Sequence, residues 1–257
     1  MEIYALGEGS YSVDGTKKFI PFNPALDNTK DRPGSIFIHV SPFLVKTSND
    51  LILFDTGLGY QNTSGELIIH QHIREAGYEP EDVTLVLMSH LHYDHSGGLV
   101  REHNGKLQAS FIRAEHVIQK QEWEVAVQGK SSSYHKEIFE ALDKTANINL
   151  VQGNGVLKDG IRFELSGGHS PYHQVFYLEN EGSKCFFGGD ELPEPEQLIR
   201  KFVAKYDFDG RKAMALREEY GKMAAEERYT CLFYHAKNLS VGNVVYIENA
   251  FKVIPLN

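Results

Sequence analysis

Cysteine is almost missing: Cys185 and Cys231 are the only two in 257 residues. Two cysteines make no disulfide framework, and each lies in an apolar run, KCFF or TCLFYH, that marks it as a core residue. Long apolar runs are missing as well. None approaches the ~18 residues that a membrane-crossing helix needs, so no membrane partner is expected. The opening MEIYALGEGS has no basic patch leading into an apolar stretch, so no export signal is expected and the chain is read as cytoplasmic. Basic residues are in deficit, with 26 Lys and Arg against 35 Asp and Glu and a formal net charge of −9. Phosphate-backbone binding rests on clustered Lys and Arg, which argues against nucleic acid and leaves a small-molecule substrate. Repeats, low-complexity tracts and composition breaks are absent too, and residues 1–257 read as one domain.

What is present is a succession of short β-rich runs interleaved with helical patterns. SIFIHVSPFLVKT and LILFDTG read as neighbouring strands, SYSVDGTKKFI as a hairpin turning at Asp14-Gly15, and VTLVLMS as a strand buried on both faces. ASFIRA reads as a further strand and AEHVIQKQEWEVAV as a helix. Residues 66–76 read as a helix ended by Gly77, and residues 136–146 as another. EPEQLIRKFVAKY reads as an amphipathic helix with Leu198, Ile199, Phe202 and Val203 on one face. The helix DGRKAMALREEYGKMAAEER follows, with Asp209 as its cap. This order suits a layered α/β protein with sheet packed on sheet and helices outside.

The chemistry concentrates in SHLHYDHSGG, residues 89–98, directly after the buried strand. In an extended chain, side chains two apart share a face, so His90, His92 and Asp94 converge while His95 faces a different centre. Imidazole with carboxylate suits Zn²⁺ or a similar divalent ion. The competing reading, a polar loop rich in histidine by accident, leaves four ionisable groups beside a buried strand without partners. Four ligands hardly fill two metal shells. Further donors stand where other strands run out: His169 in GGHSPYHQ, Asp190 in FFGGDELP and His235 in LFYHAKN. Sites in layered α/β folds form at such strand ends. His70 and His72, two apart on a helix, point away from each other. His39, His103, His116 and His135 show no partner pattern, so all six read as surface or satisfied histidines.

From LILFDTG to LFYHAKN, in order as well as motif, the chain resembles the metallo-β-lactamase superfamily of metal-dependent hydrolases. Within it, GYEPEDVTLVLMSHLHYDHSGGL and GGHSPYHQ look most like the N-acyl homoserine lactonase branch. The resemblance implies a four-layer αββα sandwich with two metal ions at one edge of the paired sheets. It implies that His90, His92 and His169 bind the first metal, that Asp94, His95 and His235 bind the second, and that Asp190 bridges both. The ions would be Zn²⁺, with Mn²⁺, Fe²⁺ or Co²⁺ as alternatives. Asp55, in FDTG, would support the ligands, and His173 would do so or serve as a turn residue. Asp94 and Asp190 would carry the catalysis, with a metal-activated water opening a lactone or cleaving a related carboxylic ester.

The chain departs from that branch in two places. No tyrosine stands in the ELPEPEQ that follows Asp190, and Ala236 replaces an aspartate after the last histidine. Tyr172, Tyr206 and Tyr234 are the candidates to supply a phenol from elsewhere. Thioester or phosphodiester hydrolysis remains an alternative, and a catalytically silent metal-binding scaffold is a third reading. Residues 193–228 and the loop VAVQGKSSSYHKE are expected to wall the pocket, the latter as a lid.

Overall fold

A computed structural model describes residues 1–256. Two sheets carry the architecture. One has six strands in the order Glu2–Ala5, Phe43–Lys46, Leu51–Phe54, Leu85–Leu87, Glu115–Gln119 and Asn147–Val151. The other has seven, in the order Gly155–Lys158, Ile161–Leu165, Gln174–Asn180, Ser183–Phe187, Thr230–Leu232, Val241–Ile247 and Ala250–Pro255.

The period of two along each strand explains why they stack face to face. Val45, Ile52, Phe54, Leu85, Leu87 and Val117 pack against Phe163, Phe176, Leu178, Cys185, Phe187 and Leu232 to form the core between the sheets. Their neighbours in sequence point outward. Leu44, Leu51, Leu53 and Val86 meet Ile69 and Ile73 of the helix Ile68–Glu75, and Ile138, Phe139 and Leu142 of the helix Lys136–Thr145. On the far sheet Val175, Tyr177, Phe186 and Cys231 meet Leu198, Tyr220 and Ala224 from the helices Glu196–Ile199 and Gly210–Glu227. Helix, sheet, sheet, helix is the expected αββα sandwich, and both cysteines are buried within it. No helix among the described residues is long and apolar enough to cross a membrane.

Several elements differ from the sequence reading. SIFIHVSPFLVKT is two strands broken at Ser41-Pro42: Ile36–Val40 joins Gly9–Val13 and Phe19–Pro21 in a separate three-stranded sheet. The hairpin forms as expected, but Lys17 rather than Gly15 takes the left-handed backbone, at φ 59°. ASFIRA is mostly turn, its strand ending at Ala109, and AEHVIQKQEWEVAV begins as the strand Glu115–Gln119 before the helix Lys120–Ala126. Burial decides it: Glu115–Gln119 lies between two parallel neighbours, the position where an almost continuous apolar run is favoured. EPEQLIRKFVAKY is helical only over Glu196–Ile199, and Ile199, Phe202 and Val203 are exposed. Just beyond it, Phe208 N–H bonds to His169 O at 3.0 Å and Asp209 N–H to Gly168 O at 2.9 Å, tying the turns that follow to the His169 loop. Asp209 then caps the last long helix through Lys212 N–H, as expected.

Gly97-Gly98 allows two backbone segments to approach closely. Gly97 has ordinary right-handed geometry, φ −58°. A Cβ on Gly97 would collide with the Leu58 carbonyl, and one on Gly98 with the Thr56 carbonyl. The pair lets the segment after Asp55 lie directly against the histidine loop.

Candidate metal centre

Seven side chains from four stretches of chain meet at one edge of the two sheets. His90 leaves the strand Leu85–Leu87; His92 opens a four-residue helix, Tyr93–Ser96, that carries Asp94 and His95. His169 lies between Ile161–Leu165 and Gln174–Asn180, Asp190 follows Ser183–Phe187, and His235 follows Thr230–Leu232. Donor atoms of His90, His92 and His169 all lie within 4.8 Å of one another, and so do those of Asp94, His95 and His235. Asp190 stands between the groups. Its Oδ1 is 3.1 Å from His95 Nε2 and 3.1 Å from His235 Nε2, while Oδ2 is 3.2 Å from His169 Nε2. Asp94 Oδ2 lies 3.8 Å and 3.7 Å from the same two nitrogens, His95 Nε2 and His235 Nε2.

The outer nitrogens set the tautomers. His235 Nδ1 is 2.7 Å from the His39 carbonyl, His95 Nδ1 is 2.7 Å from Asp55 Oδ2, and His169 Nδ1 is 3.0 Å from Asp207 Oδ1. A carbonyl or carboxylate oxygen only accepts, so each Nδ1 donates a proton outward and each Nε2 faces Asp190. Burial opposes a charge on these three rings, but Asp190 outweighs it and raises all three above the usual histidine range, and a metal ion at Nε2 would take the place of that proton. Burial, reinforced by the neighbouring imidazoles, holds His90 and His92 well below the usual histidine range, which keeps them neutral. Burial opposes ionisation of Asp190 too, but His235, His95 and His169 outweigh it and hold that carboxyl well below the usual range.

The donor set fits divalent metal. His90 Nε2 is buried without any hydrogen-bond partner, and His95 Nε2 and Asp190 Oδ1, though 3.1 Å apart, are not aligned to bond each other. Orphaned buried acceptors cost folding free energy unless something occupies them, and imidazole with carboxylate suits zinc and its neighbours.

Asp55 and His173 lie around the seven. Asp55 is fully buried with left-handed φ 54° and accepts from Ser89 N–H at 2.7 Å and Ser89 Oγ at 2.6 Å besides His95. His173 Nε2 accepts from the Asp190 backbone N–H at 3.1 Å, which leaves its Nδ1 proton for Ser166 Oγ at 2.8 Å. Its imidazole therefore has no free lone pair for a metal. Of the remaining histidines, His70 packs on Phe111 and His116 faces the Asn147 carbonyl, both in the interior. His135 stacks on Tyr93, with centroids 3.9 Å apart.

Sequence reasoning missed four buried polar residues around the site. Asp207 is clamped by Arg217 Nη2 at 2.8 Å, and both side chains are almost wholly buried. Glu191 accepts from Gly168 N–H at 2.6 Å and His169 N–H at 2.9 Å, and Glu122 accepts from Leu91 N–H at 3.0 Å. The signal was available. Arg217 sits on the apolar face of its helix with Ala213, Tyr220 and Ala224, and Glu122 is flanked by the buried Trp123 and Ala126.

A cavity of about 190 Å³ opens over Asp94, His169, Asp190 and His235. Val13, Phe19, Ile36, Phe37 and Ile38 of the small sheet form an apolar wall that the sequence did not announce. Pro193, Glu194, Gln197 and Tyr206 form the facing wall, whereas the helix Gly210–Glu227 does not reach the cavity. Ser132 and Ser133 also line it, but Tyr93 N–H bonds to the Ser133 carbonyl at 2.9 Å, which ties that loop down. Among the three candidate tyrosines only Tyr206 lines the cavity. Tyr234 is buried, stacked on His95 with its hydroxyl donating to the Asp94 carbonyl at 2.7 Å.

A paired-sheet αββα fold with a buried His/Asp cluster at the sheet edge defines a metal-dependent hydrolase, and the chain belongs to the metallo-beta-lactamase superfamily, whose profile matches residues 36–235. An N-acyl homoserine lactonase from Bacillus sp. is 25% identical over 241 residues, which cover 86% of this chain and 91% of that one. A solved probable metal-dependent hydrolase from Staphylococcus aureus superposes with a TM-score of 0.76 at 24% identity, covering 99% of this chain and 96% of the other. The dizinc quorum-quenching lactonase AidC, solved with N-hexanoyl-L-homoserine product, superposes with a TM-score of 0.74 at 23% identity, covering 99% and 94%.

Proposed function

We propose that the protein is a dinuclear hydrolase that opens a lactone or cleaves a related carboxylic ester. The observation that carries this reading is the placement of Asp190, whose two oxygens face different histidine groups. His90, His92 and His169 would hold one ion, Asp94, His95 and His235 the other, and Asp190 both, with zinc as the expected metal and manganese, iron or cobalt as alternatives. Divalent ions in such a pocket supply Lewis acidity toward a carbonyl oxygen and activation of water near neutral pH.

The chain's own residues do the rest. The carboxylate of Asp94, on the cavity floor, accepts and orients a proton of the attacking water. Asp55, Asp207 and the His39 carbonyl hold three imidazoles in the tautomer that faces inward. The wall from Val13 to Ile38 takes an apolar acyl portion and excludes water from it. Among the described residues Lys17 is the only Lys or Arg lining the cavity, which favours a neutral acyl substrate over a phosphodiester. The lactonase relatives agree with this substrate class. We read residues 1–257 as one domain acting in the cytoplasm on a small molecule.

The test is a turnover screen of metal-loaded protein across short- and long-chain acyl lactones, aryl esters, thioesters and phosphodiesters. Lactones or simple esters should be turned over best. A preference for thioesters or phosphodiesters would replace the substrate assignment, and inertness to all four in a fully loaded protein would favour the silent scaffold.

A further inference from the structure

Glu122 is buried at 1% exposure in the short helix Lys120–Ala126, far in sequence from every histidine of the site. Its carboxylate meets three neutral donors. Oε1 accepts from the Leu91 backbone N–H and the Tyr134 hydroxyl, both at 3.0 Å, and Oε2 accepts from the Ser170 hydroxyl at 3.2 Å.

Those three anchor points have one thing in common. Leu91 is the residue between His90 and His92, Ser170 directly follows His169, and the Tyr134 ring packs on His92 with centroids 5.2 Å apart. One carboxylate thus grips the chain next to each of His90, His92 and His169, and it bonds no residue adjoining Asp94, His95 or His235. The other group has its own anchor in Asp55, which bonds His95 directly and reaches His90 only through Ser89.

We propose that Glu122 is a positioning residue that sets the geometry, and with it the metal affinity, of the His90–His92–His169 group independently of the Asp94–His95–His235 group. The inference rests on the two-centre reading above. Its physical basis is that three loops distant in sequence are pinned to a common point by a group that accepts several hydrogen bonds at once. Removing that point lets the three imidazoles drift relative to one another, while Asp55 and the His39 carbonyl continue to hold the other group.

The experiment is a two-step cobalt titration of the metal-free protein, read by the visible cobalt bands and by metal bound per chain, with apo-protein stability measured alongside. For Glu122→Ala one step should weaken about 10- to 100-fold, the range typical of lost outer partners, while the other keeps its wild-type affinity. The band affected should be the one lost in His169→Ala and not the one lost in His235→Ala. Glu122→Gln, which keeps the size and two of the accepted bonds, should fall between wild type and Ala. If Glu122→Ala does not fold, Glu122→Asp, which keeps the charge but shortens the reach, should show the same selective loss. Equal weakening of both steps in proportion to lost apo stability would mean a merely structural role and overturn the proposal, as would two unchanged steps. A wild-type chain that binds a single ion overturns the two-centre reading itself, and that result is seen before any variant is made.

Discussion

His169 donates through Nδ1 to Asp207, 3.0 Å away, and so turns its Nε2 toward Asp190 and the other histidines of the cluster. Asp207 is held in turn by Arg217, which is 2% exposed and bonds the Glu191 carbonyl as well. Asp207→Ala would leave a buried guanidinium without its anion, a change that costs about 3–5 kcal/mol in comparable sites, and it would free the His169 ring. We expect a large drop in the urea midpoint together with a 10- to 100-fold weaker metal site. Asp207→Asn, which can still accept from one partner, should lose less of both. A stable Asp207→Ala protein with wild-type metal affinity would falsify the clamp.

The position of Asp190 between the two histidine groups makes its charge the most sensitive in the site. Asp190→Asn should lose most of the hydrolytic activity and about one metal equivalent, and His92→Ala should do the same from one side of the cluster. Metal analysis by mass spectrometry beside a lactone or ester assay measures both. Full turnover by either variant with less than one ion per chain would rule out the two-metal reading.

Acid should destabilise the fold through two histidines away from the cluster. Burial pushes His70 and His116 down to about 4, whereas in the unfolded chain each takes up a proton near its usual value of about 6.5. Between those limits the unfolded state binds more protons, so this contribution is complete above about pH 6.5 and is lost as the pH falls toward 4. His70→Phe, which keeps a ring against Phe111, should flatten that part of the profile. Urea midpoints of wild type and variant from pH 7 to 4.5 give the comparison; parallel curves would show that His70 is not responsible.

Two glycines should respond in opposite ways to alanine. Gly98→Ala forces a methyl into the Thr56 carbonyl and should cost about 1–3 kcal/mol or prevent folding. Gly15→Ala adds a methyl to open space at a position without positive φ. It should be neutral or stabilise by about 0.4–1 kcal/mol, through the unfolded state. Thermal melts of the two variants are the measurement, and a Gly98→Ala protein as stable as wild type would refute the close-approach account.

Local patterns in the sequence made much of the fold legible. The continuous apolar run in VTLVLMS announced a strand buried on both faces, and the histidine loop with its distant partners announced the cluster. The errors came where burial outweighed local pattern. EHVIQ reads as helix in isolation and becomes a strand because two parallel neighbours pair with it. LIRKF reads as an amphipathic helix but stays helical only as far as Ile199, and a few residues further on Phe208 and Asp209 bond the residues around His169.

The sequence by itself determined the side-chain types of the cluster, their order and the strand ends that present them, because side-chain chemistry and a period of two are local properties. Only the tertiary structure decided which ring nitrogens turn inward, since that depends on acceptors as distant as His39 for His235 and Asp207 for His169. It also decided the shape of the pocket, which owes one wall to a small N-terminal sheet that no motif foretold. Hydrogen-bond partners and cavity walls are relations between segments far apart in the chain, and they come into being only when the two sheets pack.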